Sequence, residues 1–421
     1  MANVSRPDFI VLSTDRIQLI IAAAFGEQPS ILHWGAKLPS ASAEELTSLS
    51  TRQWAFGGPN AVMTPSISNE LGAGIAEPSG FVAHREGVDW ACVFIVTRVE
   101  RHTDHDVSLH CQDANVGIGV VYRFCLGPTH DGLKIQTTFK NLREDALLID
   151  WVTVAALPVD GRFTRALGFT GRWAREFEVE EIPAHRGSYL RENKAGRTSH
   201  DNFPGLITLA PFTNEEAGPC AGFHLAWSGN NRVRLDRHSD GQAFVQMGEL
   251  FFPGEVRLAA NETYQTPSLY AVWSDTGLNT LSQSFHAILQ DDVLDDRTAD
   301  RPRPVHYNTW EAVYFDHSQE KLMALAERAA EVGAERFVLD DGWFGGRRND
   351  RTGLGDWTVS EAVYPDGLGK LVDYVRSKGM EFGIWFEPEM VNPDSDLFRK
   401  HPDWVLEARG VEQVPFREQY T

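Results

Sequence analysis

The sequence predicts a multidomain α+β chain in which a large antiparallel β-sandwich is followed by the first three units of a (β/α)8 TIM barrel. Three observations carry that reading. Up to about residue 273, short apolar or alternating runs recur between turn residues, with no sustained 3.6-residue period, as expected of many short antiparallel strands. After about residue 304 the pattern becomes strand–helix–strand–helix–strand, which implies parallel strands covered by helices. Each of those three strands ends in carboxylates beside an aromatic residue, and in a barrel the C-terminal strand ends are where ligands gather.

In chain order, runs at 9–12, 90–99, 116–124, 146–156, 223–227 and 265–273 read as strands. Turn signals separate them: Gly57-Gly58-Pro59-Asn60, Pro128-Thr129-His130-Asp131-Gly132 and Ser228-Gly229-Asn230-Asn231. The apolar stretch 17–25 is short and preceded by Asp8, Asp15 and Arg16, so it reads as a buried strand rather than a signal peptide. No apolar run approaches the ~20 residues of a membrane-spanning helix. Cys92, Cys111, Cys125 and Cys220 match no zinc or redox spacing. They read as buried thiols suited to a reducing cytosol, and a cytoplasmic location is expected.

Between 274 and 290, Leu278, Leu281, Phe285 and Ile288 or Leu289 share one helical face. A charged, proline-containing stretch, 291–304, reads as a linker. The expected division is therefore 1–273 for the sandwich, 274–303 for the helix and linker, and 304–421 for the barrel units.

The barrel part opens with a strand at 305–310. Asp316 and Gln319 suggest a capping box for a helix with Leu322, Leu325, Ala329 and Val332 on one face, stopping at Gly333. The strand 336–339 runs into Asp340-Asp341-Gly342-Trp343. A second helix carries Leu368, Leu371, Val372 and Val375 and stops at Gly379. A third strand, 382–386, runs into Glu387-Pro388-Glu389, and 394–400 reads as a short helix. A doubly wound sheet would show a glycine-rich phosphate turn after its first strand. Here that place holds Trp310-Glu311, which favours the barrel.

Composition narrows the chemistry. With 39 basic and 59 acidic side chains, the formal charge of −20 repels phosphate backbones and argues against a nucleic-acid partner. Several of the twelve Trp stand beside carboxylates in the last third. A flat apolar face with one N–H suits a sugar ring. Glycosidic cleavage needs two carboxyl groups flanking the bond. Asp340 and Asp341 would also suit Mg²⁺, yet no phosphate-binding loop accompanies them, and no metal or cofactor is expected. Glu387 and Glu389, two apart on a strand, would share a face; their spacing fits a catalytic pair and a salt-bridged rim pair equally. Asp340 and Asp341 would face opposite ways in a regular strand, so both reach one ligand only if the strand ends there, which Gly342 permits.

Five segments, Asn308-Thr309-Trp310-Glu311-Ala312, Leu339-Asp340-Asp341-Gly342-Trp343-Phe344, Gly355-Asp356-Trp357, Tyr364-Pro365-Asp366-Gly367 and Trp385-Phe386-Glu387-Pro388-Glu389-Met390-Val391, resemble in order and spacing the bacterial α-galactosidases of glycoside hydrolase family 36. His401-Pro402-Asp403-Trp404 continues the match, and Gly171-Arg172-Trp173-Ala174-Arg175-Glu176 resembles a sandwich-domain motif of the same family. The resemblance implies a β-supersandwich, a (β/α)8 catalytic domain and a C-terminal β-domain. It also implies retaining, metal-free hydrolysis of terminal α-galactosyl residues in melibiose- and raffinose-type sugars. It places Asp340 and Asp341 on galactose hydroxyls, makes Trp310 and Trp385 walls of the galactose pocket, and gives Trp173 a reach into the site from the sandwich. It gives Glu387 and Glu389 no catalytic step. It also implies a homo-oligomer for the full-length enzyme.

The family's nucleophile lies in a Lys-Trp-Asp motif on the fourth barrel strand and its acid/base Asp after the sixth; neither motif occurs here. Residues 304–421 number 118, against the ~250 of a whole barrel. The expectation is a barrel ending incomplete, with both catalytic residues beyond Thr421 and none within the chain. Three strands leave open edges, so the residues after about 300 are expected to fold less stably than the sandwich. The alternatives are a non-catalytic galactoside-binding chain, α-N-acetylgalactosamine hydrolysis or galactosyl transfer, and an assembly role for the sandwich.

Overall fold

Alternation of buried and half-buried side chains builds the first part of the molecule. In a computed structural model of the chain, residues 9–39, 42–50, 65–75, 78–184, 186–238, 241–299, 301–407 and 419–420 are described. They divide into two units, Met1–Asp295 and Asp296–Thr421. The expected turn at 57–60 lies outside the described residues.

In the first unit, the strand Leu133–Asn141 buries every second residue, Leu133, Ile135, Thr137, Phe139 and Asn141. It pairs antiparallel with Ile118–Leu126 on one side and Ser268–Ser274 on the other. From there the sheet extends through Asp106–Asp113 to Ile95–Thr103 one way. The other way it passes through Cys220–Ala226, Gly205–Leu209 and Arg165–Arg172 to Arg175–Pro183. A four-stranded sheet runs Ala156–Val159, Ala243–Glu249, Asn231–Arg237, Gly187–Asn193, and two three-stranded sheets complete the layers. Among the described residues all strand-to-strand pairings of this unit are antiparallel, and the buried apolar side chains of the facing sheets form one core. The ring of Phe139 stacks on Phe81 at 4.7 Å inside it.

Two expected strands differ from the structure. The run at 90–99 starts its strand only at Ile95, because the preceding backbone bonds elsewhere: the Val93 N–H donates to Asp113 Oδ2 at 2.8 Å, and Trp90 is exposed. The run at 146–156 divides into Leu147–Val152 and Ala156–Val159, which belong to different sheets. Thr153 makes the switch. It is wholly buried, and its hydroxyl donates to the carbonyls of Ala155 and Met247. The stretch 17–25 contains the largely buried strand Ile17–Ala22.

The helix Leu278–Ile288 packs on the large sheet, with Leu281 and Ile288 buried among Leu209, Cys220, Tyr270 and Val272. Gly222 allows this approach, since a Cβ there would stand 2.8 Å from the Phe285 ring. Cys92, Cys111 and Cys220 are free and buried, whereas Cys125 is only half-buried, a departure from the expected four buried thiols. Burial pushes the Cys220 thiol up to about 12 and raises Cys92 and Cys111 as well, so none of these three is a ready thiolate. No helix among the described residues is long and apolar enough to cross a membrane.

The second unit holds three parallel strands in the order His306–Asn308, Arg336–Leu339, Glu381–Ile384. The helices Gln319–Glu331 and Gly369–Ser377 follow the first and second strands. Leu322, Ala326 and Ala329 of one helix and Leu371 and Val375 of the other pack with Phe337 and Leu339. Some local expectations change. Ser318, not Asp316, caps the first helix, its hydroxyl accepting the Lys321 N–H at 3.2 Å. Val332 lies past the last helical turn, 83 % exposed, where Gly333 at φ +88 ends the helix. The third strand stops at Ile384, so residues 385–389 lie beyond the sheet.

Candidate functional site

The ends of the three parallel strands hold the residues that the sequence singles out. Asn308 closes the first strand. Its side-chain oxygen accepts the Trp310 N–H at 2.7 Å, which starts the short helix Trp310–Val313, and its amide donates to Asp340 Oδ2. Thr309 is wholly buried, and its hydroxyl accepts the Asp340 N–H at 2.9 Å. The Asn-Thr-Trp segment therefore fixes Asp340 from the neighbouring strand.

The middle strand ends at Leu339, as two aspartates serving one ligand require. Gly342, at φ +103, turns the chain away. Asp340 and Asp341 are both buried. The Asp341 N–H donates to Asp340 Oδ1 at 2.7 Å. Arg347 grips the Asp341 carboxylate, Nε donating to Oδ1 at 3.0 Å and Nη2 to Oδ2 at 2.8 Å. Such two-pronged, charge-assisted pairing fixes orientation as well as charge. Arg347 is held in turn by the Thr352 carbonyl at 3.0 Å and lies over the Phe315 ring. Arg348 donates to the Gly342 carbonyl and to Ser360. The result is two carboxylates locked in direction before any ligand arrives. A carboxylate has about four acceptor positions. Asp340 uses one on each oxygen and keeps the others.

The aromatic residues divide into half-buried and core side chains. Trp310 is half-buried, edge-on to Tyr314 and Phe315 at 5.0 and 5.2 Å. Trp385 is half-buried beside Trp357. Trp343, counted from the sequence among the strand-end aromatics, is instead a buried core side chain whose indole donates to the Trp385 carbonyl at 2.9 Å. Its part is to support Trp385. Trp173 belongs to the first unit. It stands in the two-residue turn between Arg172 and Arg175, 82 % exposed, with Ala174 at φ +64.

Glu387 and Glu389 do not lie on a strand, so the same-face pairing argued from their spacing does not apply. Asp356, in the Gly-Asp-Trp segment, accepts the Asp396 N–H at 3.0 Å and so places a carboxylate at the start of the helix Asp396–Lys400, which Ser395 caps. Burial keeps the His317 imidazole below its ordinary range, and its Nδ1 bonds the Tyr364 hydroxyl at 2.8 Å. No cluster of three or more His, Cys, Asp or Glu among the described residues is arranged to hold a metal.

Sequence reasoning missed Arg347. The available signal was an Arg-Arg pair in the polar loop just after two adjacent aspartates, where one buried carboxylate would need a cation.

The family model described as Glycosyl hydrolase family 36 N-terminal domain matches residues 27–259, and the model described as Melibiase matches residues 263–421. An alpha-galactosidase of Escherichia coli is 42 % identical over 410 residues, covering 97 % of this chain and 57 % of the relative. Alpha-galactosidase Mel36A of Lactobacillus acidophilus is 37 % identical over 280 residues, 66 % of this chain and 38 % of the relative. The chain thus spans little more than half the length of these curated relatives at most. The crystal structure of the α-galactosidase AgaA from Geobacillus stearothermophilus superposes with TM-score 0.89 at 26 % identity, covering 98 % of this chain and 61 % of that one. A variant of the same enzyme in complex with raffinose gives TM-score 0.88. The sandwich and the strand-end segments are each matched in their own place along the sequence, and the chain belongs to glycosyl hydrolase family 36.

Proposed function

We propose that this chain takes part in hydrolysis of terminal α-galactosyl residues, with Asp340 and Asp341 accepting hydrogen bonds from the galactose hydroxyls and Trp310 and Trp385 walling the ring. The observation that carries the reading is the locked carboxylate pair: Asp340 held by Asn308 and Thr309, Asp341 held by Arg347. Acceptors fixed in direction discriminate an axial from an equatorial hydroxyl, because an epimer leaves a buried acceptor unpaired. The relatives support it: they are named α-galactosidases, and two of the similar structures hold raffinose and stachyose. Trp173 is a further candidate contact, carried by the resemblance alone. Glu387 and Glu389 receive no catalytic step, and retention of configuration follows the family.

The test is galactose binding by the 421-residue chain, measured by calorimetry, together with its turnover of p-nitrophenyl α-galactoside. Saturable galactose binding that weakens at least tenfold in Asp340→Asn, with glucose bound more weakly, is expected. Equal affinity for galactose and glucose would remove the proposed selection. Turnover abolished by Glu387→Gln would return a catalytic role to that residue and overturn the assignment.

A further inference from the structure

The loop that leads from the first parallel strand to the helix Gln319–Glu331 runs directly against the turn that carries Asp341. A Cβ on Gly342 would stand 3.4 Å from the Phe315 Cα. Three bonds pin the loop. The Tyr314 N–H donates to the Trp310 carbonyl at 2.8 Å, and the Asp316 N–H to the Val313 carbonyl at 2.9 Å. His317 Nδ1 meets the Tyr364 hydroxyl at 2.8 Å. Between these anchors Tyr314 takes φ +46 and ψ −120, a region that residues with a Cβ rarely occupy. Such conformations persist where the surroundings enforce them, and they gather at functional sites. Tyr314 is left exposed, and Phe315 is half-buried.

The neighbours of the Phe315 ring are unusual for an apolar side chain. Among the described residues, the apolar core of the second unit does not include it. Its ring stands edge-on to the Trp310 indole, with centroids 5.2 Å apart and planes at 85°, an arrangement that aromatic pairs favour. The Arg347 guanidinium lies over the same ring, 5.6 Å from its centroid, within the ~6 Å at which a cation is attracted to a ring face. Arg347 in turn grips the Asp341 carboxylate through Nε and Nη2. One ring therefore joins the indole at the end of the first strand to the cation that directs a carboxylate at the end of the second.

We propose that Phe315 is a positioning residue: without touching sugar, it holds the Trp310 indole and, through Arg347, the Asp341 carboxylate in one fixed relation, and so sets the preference for galactose over glucose. The inference rests on the reading of Asp340, Asp341 and Trp310 as the galactose site.

The test uses the full chain with Phe315→Leu, Phe315→Tyr and Val375→Ala. Leucine removes the ring but keeps an apolar side chain, and tyrosine keeps the ring. Val375 is buried in the core of the same unit, so its truncation destabilises that unit without touching the strand ends. The first readout is solvent exchange of the Arg347 Nε–H in the ligand-free chain, its resonance assigned from Arg347→Lys. The second is affinity for galactose and for glucose, measured by calorimetry. Phe315→Leu should speed the exchange about tenfold and weaken galactose about tenfold, the worth of one weakened charge-assisted hydrogen bond, with glucose changed less than about twofold. Phe315→Tyr should keep both at wild-type values. Val375→Ala should lower the denaturation midpoint of the unit and move neither. Wild-type exchange and selectivity in Phe315→Leu would overturn the proposal, as would equal losses in Phe315→Tyr or in Val375→Ala. A wild-type chain that binds no galactose, with exchange still faster in Phe315→Leu, would sink the galactose reading and the selectivity with it, leaving only the hold of Phe315 on Arg347.

Discussion

The two units reach a buried core by different routes. In the first, antiparallel sheets face one another, and a strand such as Leu133–Asn141 is paired on both sides and buried on its inner face throughout. In the second, three short parallel strands are covered by helices, and only the middle strand, Arg336–Leu339, is paired on both sides among the described residues. The outer strands of that sheet carry largely half-buried or exposed side chains. A parallel sheet depends on cover at both faces and on closure of its edges. The strand-end residues proposed to bind galactose therefore stand on the scaffold with fewer paired strands and less buried outer strands.

The largest expected effect is a difference in local stability between the units. Amides of Leu133–Asn141 should exchange with solvent more slowly than those of Arg336–Leu339 by about a thousandfold, a gap of about 4 kcal/mol. Equal protection would mean that the parallel unit is as cooperative as the sandwich, and the contrast would fall.

Next in size is Arg347→Ala. It leaves Asp341 buried without its cation, and breaking a buried pair on one side costs about 3–5 kcal/mol. The loss should appear in the unfolding of the second unit only, followed through chemical denaturation. Removing both partners in Arg347→Met/Asp341→Leu should cost much less than Arg347→Ala alone, since no orphaned charge remains. A double variant as unstable as the single would show that packing, not charge pairing, is what Arg347 supplies.

The sandwich carries its own buried charge. Glu70 is wholly buried, and burial pushes its carboxyl up to about 7, with Ser66 and Gln28 bonded to one oxygen and the other left without a partner. In the unfolded chain the group ionises near its ordinary value, about 4.5. Between these values the folded state binds the extra proton, so sandwich stability is full below about 4.5 and falls as pH rises through about 7. The drop from pH 5 to 8 is roughly 2–3 kcal/mol. Glu70→Gln should flatten that slope in the first unit and leave the second unit unchanged. A slope that survives the substitution would locate the titration elsewhere.

Much of this contrast is legible in the amino-acid pattern. Turn-punctuated runs mark the sandwich strands, and Leu278, Leu281 and Ile288 mark a helix that the structure forms over Leu278–Ile288. Asp340-Asp341-Gly342 marks a strand end, because only an ending strand can turn both carboxylates to one place. The rest depends on partners that pattern does not reveal. Thr153 divides one apolar run between two sheets by bonding Met247, far along the chain. Trp343 and Trp385 look alike in sequence, yet one is core and the other half-exposed, because alternation stops where the strand stops. Arg347 lies six residues from Asp341 in a loop whose course no periodicity describes.

The smallest effect tests the finest of these differences. From sequence, Asp316 and Gln319 fit a capping box for the helix Gln319–Glu331. In the structure the side chain of Ser318 accepts the Lys321 N–H, while Asp316 is exposed and meets the Lys321 ammonium. A lost N-cap costs about 1 kcal/mol, whereas an exposed ion pair is worth about 0–1 kcal/mol and is screened by salt. Ser318→Ala should therefore lower the stability of the second unit by about 1 kcal/mol at any ionic strength, and Asp316→Ala by less, with its effect fading at high salt. The reverse ranking would restore Asp316 as the cap and move the start of the helix that covers the first two parallel strands. Because that helix buries Leu322 and Ala326 in the core of the second unit, even this small change should shift the unit's denaturation midpoint while leaving that of the sandwich in place.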